Sequence, residues 1–203
     1  MKGQSQMVSA ILIVLITLGI IGGIYPWASS VIQKKKDSKT VDDVYNFFQK
    51  LDSTIINIAR NGGEESVELK TPGIIEVYPN SISNNPLNNS IVFKFQSKVT
   101  NVAGTSEWIP LNTPNSNPTG ILGIDKPGVI LANSTIGERD IDVWYRVWYR
   151  ELRDPETGKT YKINITTSDQ QIKASSYGFI RIQKIGSTLY GDNLITTEVN
   201  IIV

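Results

Sequence analysis

The chain of 203 residues contains neither cysteine nor histidine. Without cysteine there are no disulfides or thiol nucleophiles, and without histidine the usual general base near neutral pH and a common zinc ligand are missing. Serine triads that depend on histidine are therefore excluded. The 20 basic and 19 acidic residues leave a net charge of +1, which gives no reason to expect nucleic acid as a partner. We expect a protein that is not an enzyme and that uses neither a metal nor another cofactor.

The most informative segment present is an uncharged apolar run from Met7 to Trp27, preceded by Lys2 and Gly3. As a helix with a rise of about 1.5 Å per residue, this run is roughly 30 Å long, the thickness of the hydrocarbon core of a bilayer. It could be removed as a secretory signal peptide, with small residues at 28–30 as the cleavage site, or remain as an uncleaved anchor. A third alternative is cleavage before the run, which leaves the apolar helix on the mature protein.

Lys2-Gly3 followed by Gln4-Ser5-Gln6 resembles the class III signal peptide of archaeal type IV pilins and their relatives. The resemblance implies cleavage by a prepilin peptidase between Gly3 and Gln4, membrane insertion through the retained helix, and polymerisation of copies that bury this helix. Bacterial pilins carry a glutamate at the fifth mature position, where this chain has Val8. The resemblance therefore favours the archaeal relatives and covers only the N-terminal helical region.

The lysines that follow the apolar run favour the opposite membrane orientation to the one that an exported pilin-like protein requires. Lys34, Lys35, Lys36 and Lys39 lie after the run, whereas only Lys2 lies before it. The positive-inside rule alone would keep the side that carries the lysines in the cytoplasm. The rest of the chain is typical of an extracellular β domain, which favours export, and the orientation stays open at this point.

A second helix is predicted after the apolar run. Thr40-Val41-Asp42-Asp43 has the pattern of a helix start, and Gly62-Gly63 has that of a helix end. Apolar residues recur between them at spacings of three and four and predict one buried stripe, which consists of Val41, Val44, Phe48, Leu51, Ile55 and Ile58. The two helices could form one long helix, kinked near Pro26 because proline removes a backbone hydrogen bond.

From Glu65 onward, alternating apolar and polar residues and turn signals predict strands. Two hairpins are expected, one joining 66–70 to 74–78 and one joining 141–152 to 160–167. Further strands are predicted at 91–95, 129–132, 173–185 and 194–203, with surface loops at 80–89 and 111–120. The expected fold class is α+β: a long N-terminal hydrophobic helix followed by a mostly antiparallel, β-sandwich-like head. The expected division is a leader at 1–3, a helical region at 4–61 and an extracellular β domain at 62–203.

The strand from Ile141 to Arg150 is the most distinctive segment of the head. Period two places Ile141, Val143, Tyr145, Val147 and Tyr149 on a core face. The opposite face then carries the candidate surface-contact residues, Trp144, Arg146, Trp148 and Arg150. Tryptophan and arginine can stack on one another and are common at protein interfaces. Structural packing, a subunit contact and ligand binding are the alternatives for this face.

Three sequons could accept glycans on an exported surface, at Asn88, Asn133 and Asn164. Each is weak evidence, because a chain this rich in asparagine, serine and threonine produces such triplets by chance. The turn from Asp154 to Lys159 holds two acidic residues, but it offers too few oxygens for calcium and is interpreted as a hairpin turn.

The sequence favours a structural subunit of an archaeal type IV pilus-like filament on the cell surface. Its partners would be the membrane, a prepilin peptidase and copies of itself or related pilins. The alternative is a membrane-anchored β-sandwich ectodomain that does not polymerise and acts as a cell-surface binding or motor-associated module. A secreted carbohydrate-binding or lytic protein is a third class.

Overall fold

The computed structural model describes residues 2–203 except 83, 106 and 177, and for residues 2–8 and 178 it describes the backbone only. Met1 of the expected leader therefore lies outside the described residues. One helix, α1 (Lys2–Asn61), precedes all the strands and continues through Pro26. The long N-terminal helix expected from the sequence is confirmed. The two predicted helices form one continuous helix.

The ends of the predicted second helix differ in outcome. Thr40 does not cap a helix, because its hydroxyl donates to the Lys36 carbonyl (3.0 Å) in the middle of α1. The predicted start was wrong because residues 33–39, which include four lysines and one glutamine, continue the helix instead of breaking it. The predicted end is confirmed: Gly62 and Gly63 have φ of 79° and 97°, and the Gly62 N–H donates to the Ile58 carbonyl (2.8 Å).

Twelve strands follow within the described residues: β1 Glu64–Leu69, β2 Ile74–Tyr78, β3 Ser90–Ser97, β4 Ile109–Pro110, β5 Thr119–Ile121, β6 Gly128–Ile136, β7 Ile141–Tyr149, β8 Glu151–Arg153, β9 Thr160–Thr166, β10 Lys173–Ser175, β11 Gly178–Tyr190 and β12 Leu194–Ile202. They form two six-stranded sheets. The first has the order β1-β11-β12-β9-β8-β5 and the second β10-β2-β3-β7-β6-β4. The β12–β9 and β5–β8 pairs are parallel, and the other described pairs are antiparallel. The α+β class with a mostly antiparallel sandwich-like head is confirmed.

Both predicted hairpins need correction. β1 and β2 belong to different sheets, so the turn at Pro72-Gly73 carries the chain from one sheet to the other. Gly73 is required there, because a Cβ would overlap the ring of Phe93. The second prediction merged two strands: β7 lies in one sheet and β8 in the other, with Arg150 at the break, and only β8 pairs with β9.

The head core is shared by α1 and both sheets. All six residues of the predicted helix stripe are buried, none more than 2% exposed. They join one cluster with inward residues of β3, β7, β11 and β12. Phe48 of the helix faces Tyr145 of β7, with ring centroids 5.8 Å apart. The second half of α1 is therefore an integral part of the head.

Candidate functional site: the uncovered half of α1

The first half of α1 contacts nothing in the head. Between Ser9 and Ile32 almost every side chain is exposed, including Leu18 (61%) and Trp27 (69%). α1 is long and apolar enough to cross a membrane, and none of its most apolar stretch is buried. Because so large an apolar surface is unfavourable in water, this half requires a cover that lies outside the chain, either lipid or protein.

The glycines of this half have no role within a single copy. A Cβ added at Gly19, Gly22 or Gly23 would meet no atom within 4 Å. Successive helical residues are rotated by about 100°, so these three glycines and Pro26 fall within a sector of roughly 100° around the helix. One side of the uncovered half is therefore narrow, and a neighbouring helix can approach its backbone closely there.

Two aromatic residues and a group of lysines mark the end of the uncovered half. Tyr25 and Trp27 are exposed, as is usual for aromatic residues at the boundary of a membrane. Lys34, Lys35 and Lys36 follow Trp27 within about three turns and are exposed as well. The first stripe residue, Val41, is buried in the head. The apolar half therefore ends before the buried stripe begins. Between them lies a charged helical segment, in which the Asp37 carboxylate accepts a hydrogen bond from the Lys98 N–H of the head (2.8 Å).

The predicted processing site lies at the beginning of α1. The backbone of Gly3 and Gln4 is helical, and the side chain of Gln4 is outside the described ones. The structure therefore leaves cleavage between these two residues as a prediction.

β7 carries the tryptophan and arginine residues as its period predicts, with one exception. Trp144, Arg146 and Trp148 lie half-buried on the outer face, while the alternate residues from Val143 to Tyr149 are buried. The Arg146 guanidinium donates to the Pro86 carbonyl (3.0 Å), so the loop before β3 covers part of this face. Burial lowers the pKa of Arg146 to about 10. A contact role for these three residues stays a prediction.

Arg150 is the exception, and its assignment to a contact surface is corrected. Arg150 is 1% exposed, and its guanidinium donates to the Thr113 hydroxyl (3.1 Å), the Asn115 side chain (3.2 Å) and the Asn115 carbonyl (3.0 Å). Desolvation lowers the pKa of Arg150, and the nearby charge of Asp125 partly offsets this decrease. The period-two pattern ends at Tyr149, so Arg150 anchors the loop 111–118 to the sandwich.

A buried asparagine that the sequence did not single out connects the two sheets. Asn89 is 3% exposed and has a positive φ of 52°. Its amide donates to the carbonyls of Tyr149 (3.2 Å) and Ile163 (3.0 Å), and its oxygen accepts from the Ile165 N–H (2.7 Å). Tyr149 belongs to one sheet and the other two residues belong to the second. The only signal in the sequence is an asparagine just before a strand, which is typical of many loops.

The three sequons lie in different settings. Asn133 and Asn164 are within β6 and β9, opposite Trp144 and Glu198, and their side-chain oxygens are enclosed. Asn88 lies in the loop before β3 and is half-buried. Since acceptor asparagines are typical of surface loops, Asn88 is the best placed of the three.

One buried carboxyl group lies where α1 meets the second sheet. Asp52 is 7% exposed, and its carboxyl group lies so close to Gly128 that a Cβ there would overlap it. Burial raises the pKa of Asp52 to about 6. The Tyr149 hydroxyl and Lys126 lower this pKa, but they offset only part of the effect of burial. Asp52 and Lys126 also line a cavity of about 540 Å³ beside the loop 122–127. Among the described residues, no group of three or more acidic side chains could hold a metal ion.

Family models, curated protein sequences and solved structures give no match to this chain.

Proposed function

We propose that the protein is a structural subunit of an archaeal type IV pilus-like surface filament. Its apolar half-helix is inserted in the membrane, a prepilin peptidase cleaves between Gly3 and Gln4, and subunits polymerise by burying this half-helix among copies of themselves or related pilins. The head then forms the outer surface of the filament, outside the cytoplasmic membrane. The mechanism is physical and not catalytic.

The observation that carries the proposal is the division of α1. A helix that served only the head would end or become polar outside it, but α1 continues as an apolar, uncovered helix long enough to span a bilayer. A helix that is covered only by lipid has no need of glycines. The glycine-lined sector supports a second state in which neighbouring helices replace lipid, because small residues allow backbones to approach closely.

The test is a substitution that widens this sector without shortening the apolar span. Gly19→Leu should leave membrane insertion and cleavage intact, as measured by fractionation and by mass spectrometry of the N-terminal peptide, but should abolish filaments in the sheared fraction. Ala10→Leu is the matched control, since position 10 lies on the opposite side of the helix and adds similar bulk.

The alternative is a membrane-anchored ectodomain that does not polymerise. Intact filaments from Gly19→Leu, or equal loss from both variants, would contradict packing at the glycine sector. A mature protein that begins at Met1 and forms no filament in its unmodified form would establish the anchored ectodomain instead.

A further inference from the structure

The charged segment between the apolar half of α1 and the buried stripe carries lysines around more than half of the helix. We call these four residues the lysine collar: Lys34, Lys35, Lys36 and Lys39. All four are exposed. With a rotation of about 100° per residue, they cover a sector of roughly 200° around the helix axis. The collar therefore surrounds the helix at one level instead of forming a stripe along it.

The remaining side of this segment faces the head. Asp37, the one carboxylate among residues 33–39, lies one turn before Val41, where the buried stripe begins. The Gln33 side-chain amide donates to one of its oxygens (2.6 Å), and the Lys98 N–H donates to the other (2.8 Å). Both oxygens of Asp37 are therefore occupied by uncharged donors, on the side of the helix away from the collar.

The collar lysines have no ion pair among the described residues. Five lysines of the head do pair with carboxylates, namely Lys70, Lys94, Lys98, Lys162 and Lys173. The sixth described ion pair joins Arg181 to Glu64. Four positive charges within about one and a half turns repel one another, and nothing in the chain neutralises them. Anions from outside the chain would remove this repulsion.

The position of the collar along α1 indicates which anions these are. Trp27 ends the apolar run, and Lys34 follows it by seven residues, or about 10 Å. The headgroup layer on one side of a bilayer is roughly 5–8 Å thick. In a helix every Cα–Cβ bond is tilted toward the N-terminus, so the side chains at 34–36 lean back toward the apolar half. Long lysine side chains can therefore place their ammonium groups among the headgroups when this half spans a bilayer.

We propose that the lysine collar binds anionic lipid headgroups and gathers them around the anchored protein. The charges are complementary, since basic segments next to a membrane span are attracted to anionic lipids. The arrangement also fits, because a bilayer surrounds a helix at one level, whereas a docked protein would touch one side of it. The inference rests on the membrane insertion of α1 in the proposed function. It holds for either orientation in the membrane and does not depend on polymerisation.

Quenching of tryptophan fluorescence by brominated lipid measures which lipids lie next to Trp27. The full chain is reconstituted at a low ratio of protein to lipid in phosphatidylcholine vesicles that contain a minority of phosphatidylglycerol, and either lipid carries the bromine. A lysine at an anionic surface changes affinity by about fivefold, so phosphatidylglycerol should be enriched at Trp27 by up to about fivefold. Trp27→Phe identifies the fluorescence that comes from the tryptophans of the head.

Two variants that each remove three exposed positive charges locate the effect. Lys34→Gln/Lys35→Gln/Lys36→Gln should abolish most of the enrichment, and glutamine preserves the helix. Lys50→Gln/Lys126→Gln/Lys159→Gln changes exposed positions of the head region and should leave the enrichment unchanged. For the unmodified chain, 1 M salt should reduce the enrichment, because the Debye length falls to about 3 Å.

The outcomes separate this inference from the proposed function. Equal quenching of Trp27 by the two brominated lipids would overturn lipid binding by the collar while leaving insertion intact, and the carboxylates of another protein would then be the better occupant. An enrichment that the collar variant retains would also overturn it. Absence of quenching by either lipid would contradict membrane insertion, and with it both the proposed function and this inference.

Discussion

The two halves of α1 have one backbone and opposite surroundings. Leu18 in the first half is 61% exposed, whereas Leu51 in the second half is fully buried. Both halves contain apolar residues, but in the second they alternate with polar residues at the helical period, while the first is apolar on every side. The difference shows that the period of the pattern, more than its hydrophobicity, decides whether the chain itself covers a helix. A helix that is apolar on every side needs other molecules to cover its surface.

The largest expected effect compares the same substitution in the two halves. Leu51→Ala removes a buried side chain from the shared core and should reduce the free energy of unfolding of the head by about 2–5 kcal/mol. Leu18→Ala should change it by less than about 0.5 kcal/mol, since this residue contacts nothing in the head. Urea unfolding of the full chain in detergent, followed by tryptophan fluorescence, measures both. Similar losses would mean that the first half supports the fold of the head.

The next effect concerns the connection between the two sheets. Asn89→Ala should reduce the free energy of unfolding by about 2–4 kcal/mol, because three buried backbone groups lose their partner. Asn88→Ala is the matched control one residue away and should have little effect. Thermal unfolding followed by circular dichroism compares them. Equal melting temperatures for the two variants would show that Asn89 is not the connection that the geometry indicates.

Much of the helix could be predicted from sequence, because a period of 3.6 over the stripe residues has one structural interpretation. The partner of each strand was harder to predict from the sequence. Alternation predicts that 66–70 and 74–78 are strands, but it carries no information about which sheet each joins, and a turn signal such as Pro72-Gly73 fits a crossing between sheets as well as a hairpin.

The candidate site shows the same limit. The exposed apolar half was visible in the sequence because its length and lack of charge are unusual. Arg150 was assigned to the surface because period two places it on the same strand face as Arg146. Its burial is acceptable only because it donates hydrogen bonds to Thr113 and Asn115. Those partners are distant in sequence. Asn89 was missed for the same reason, since its three partners lie on β7 and β9.

The smallest expected effect is the pH dependence due to Asp52. Its pKa is about 6 in the folded state and 3.8 ordinarily. Below pH 3.8 the carboxyl group is protonated in both the folded and the unfolded state, so its burial does not reduce the free energy of unfolding. As the pH rises toward 6, the group ionises in the unfolded chain first, and the free energy of unfolding decreases. Between pH 4 and pH 7 this loss is up to about 2–3 kcal/mol. Asp52→Asn should remove this part of the slope in urea unfolding measured at several pH values.

Asp43→Asn, an exposed position of the same helix, controls for the removal of a charge from α1. A slope for Asp52→Asn as steep as that of the unmodified chain would place the titrating group elsewhere.

The uninterrupted course of α1 also determines how the molecule bears force. If the apolar half is held and the head is pulled outward, tension passes along one hydrogen-bonded helix into the stripe between Val41 and Ile58. That stripe lies parallel to the load, so its contacts are sheared together and not peeled one at a time. The head should therefore resist extraction from its own helix, and the chain at Gly62 and Gly63, where the helix turns back into β1, experiences the load only after the stripe has slipped.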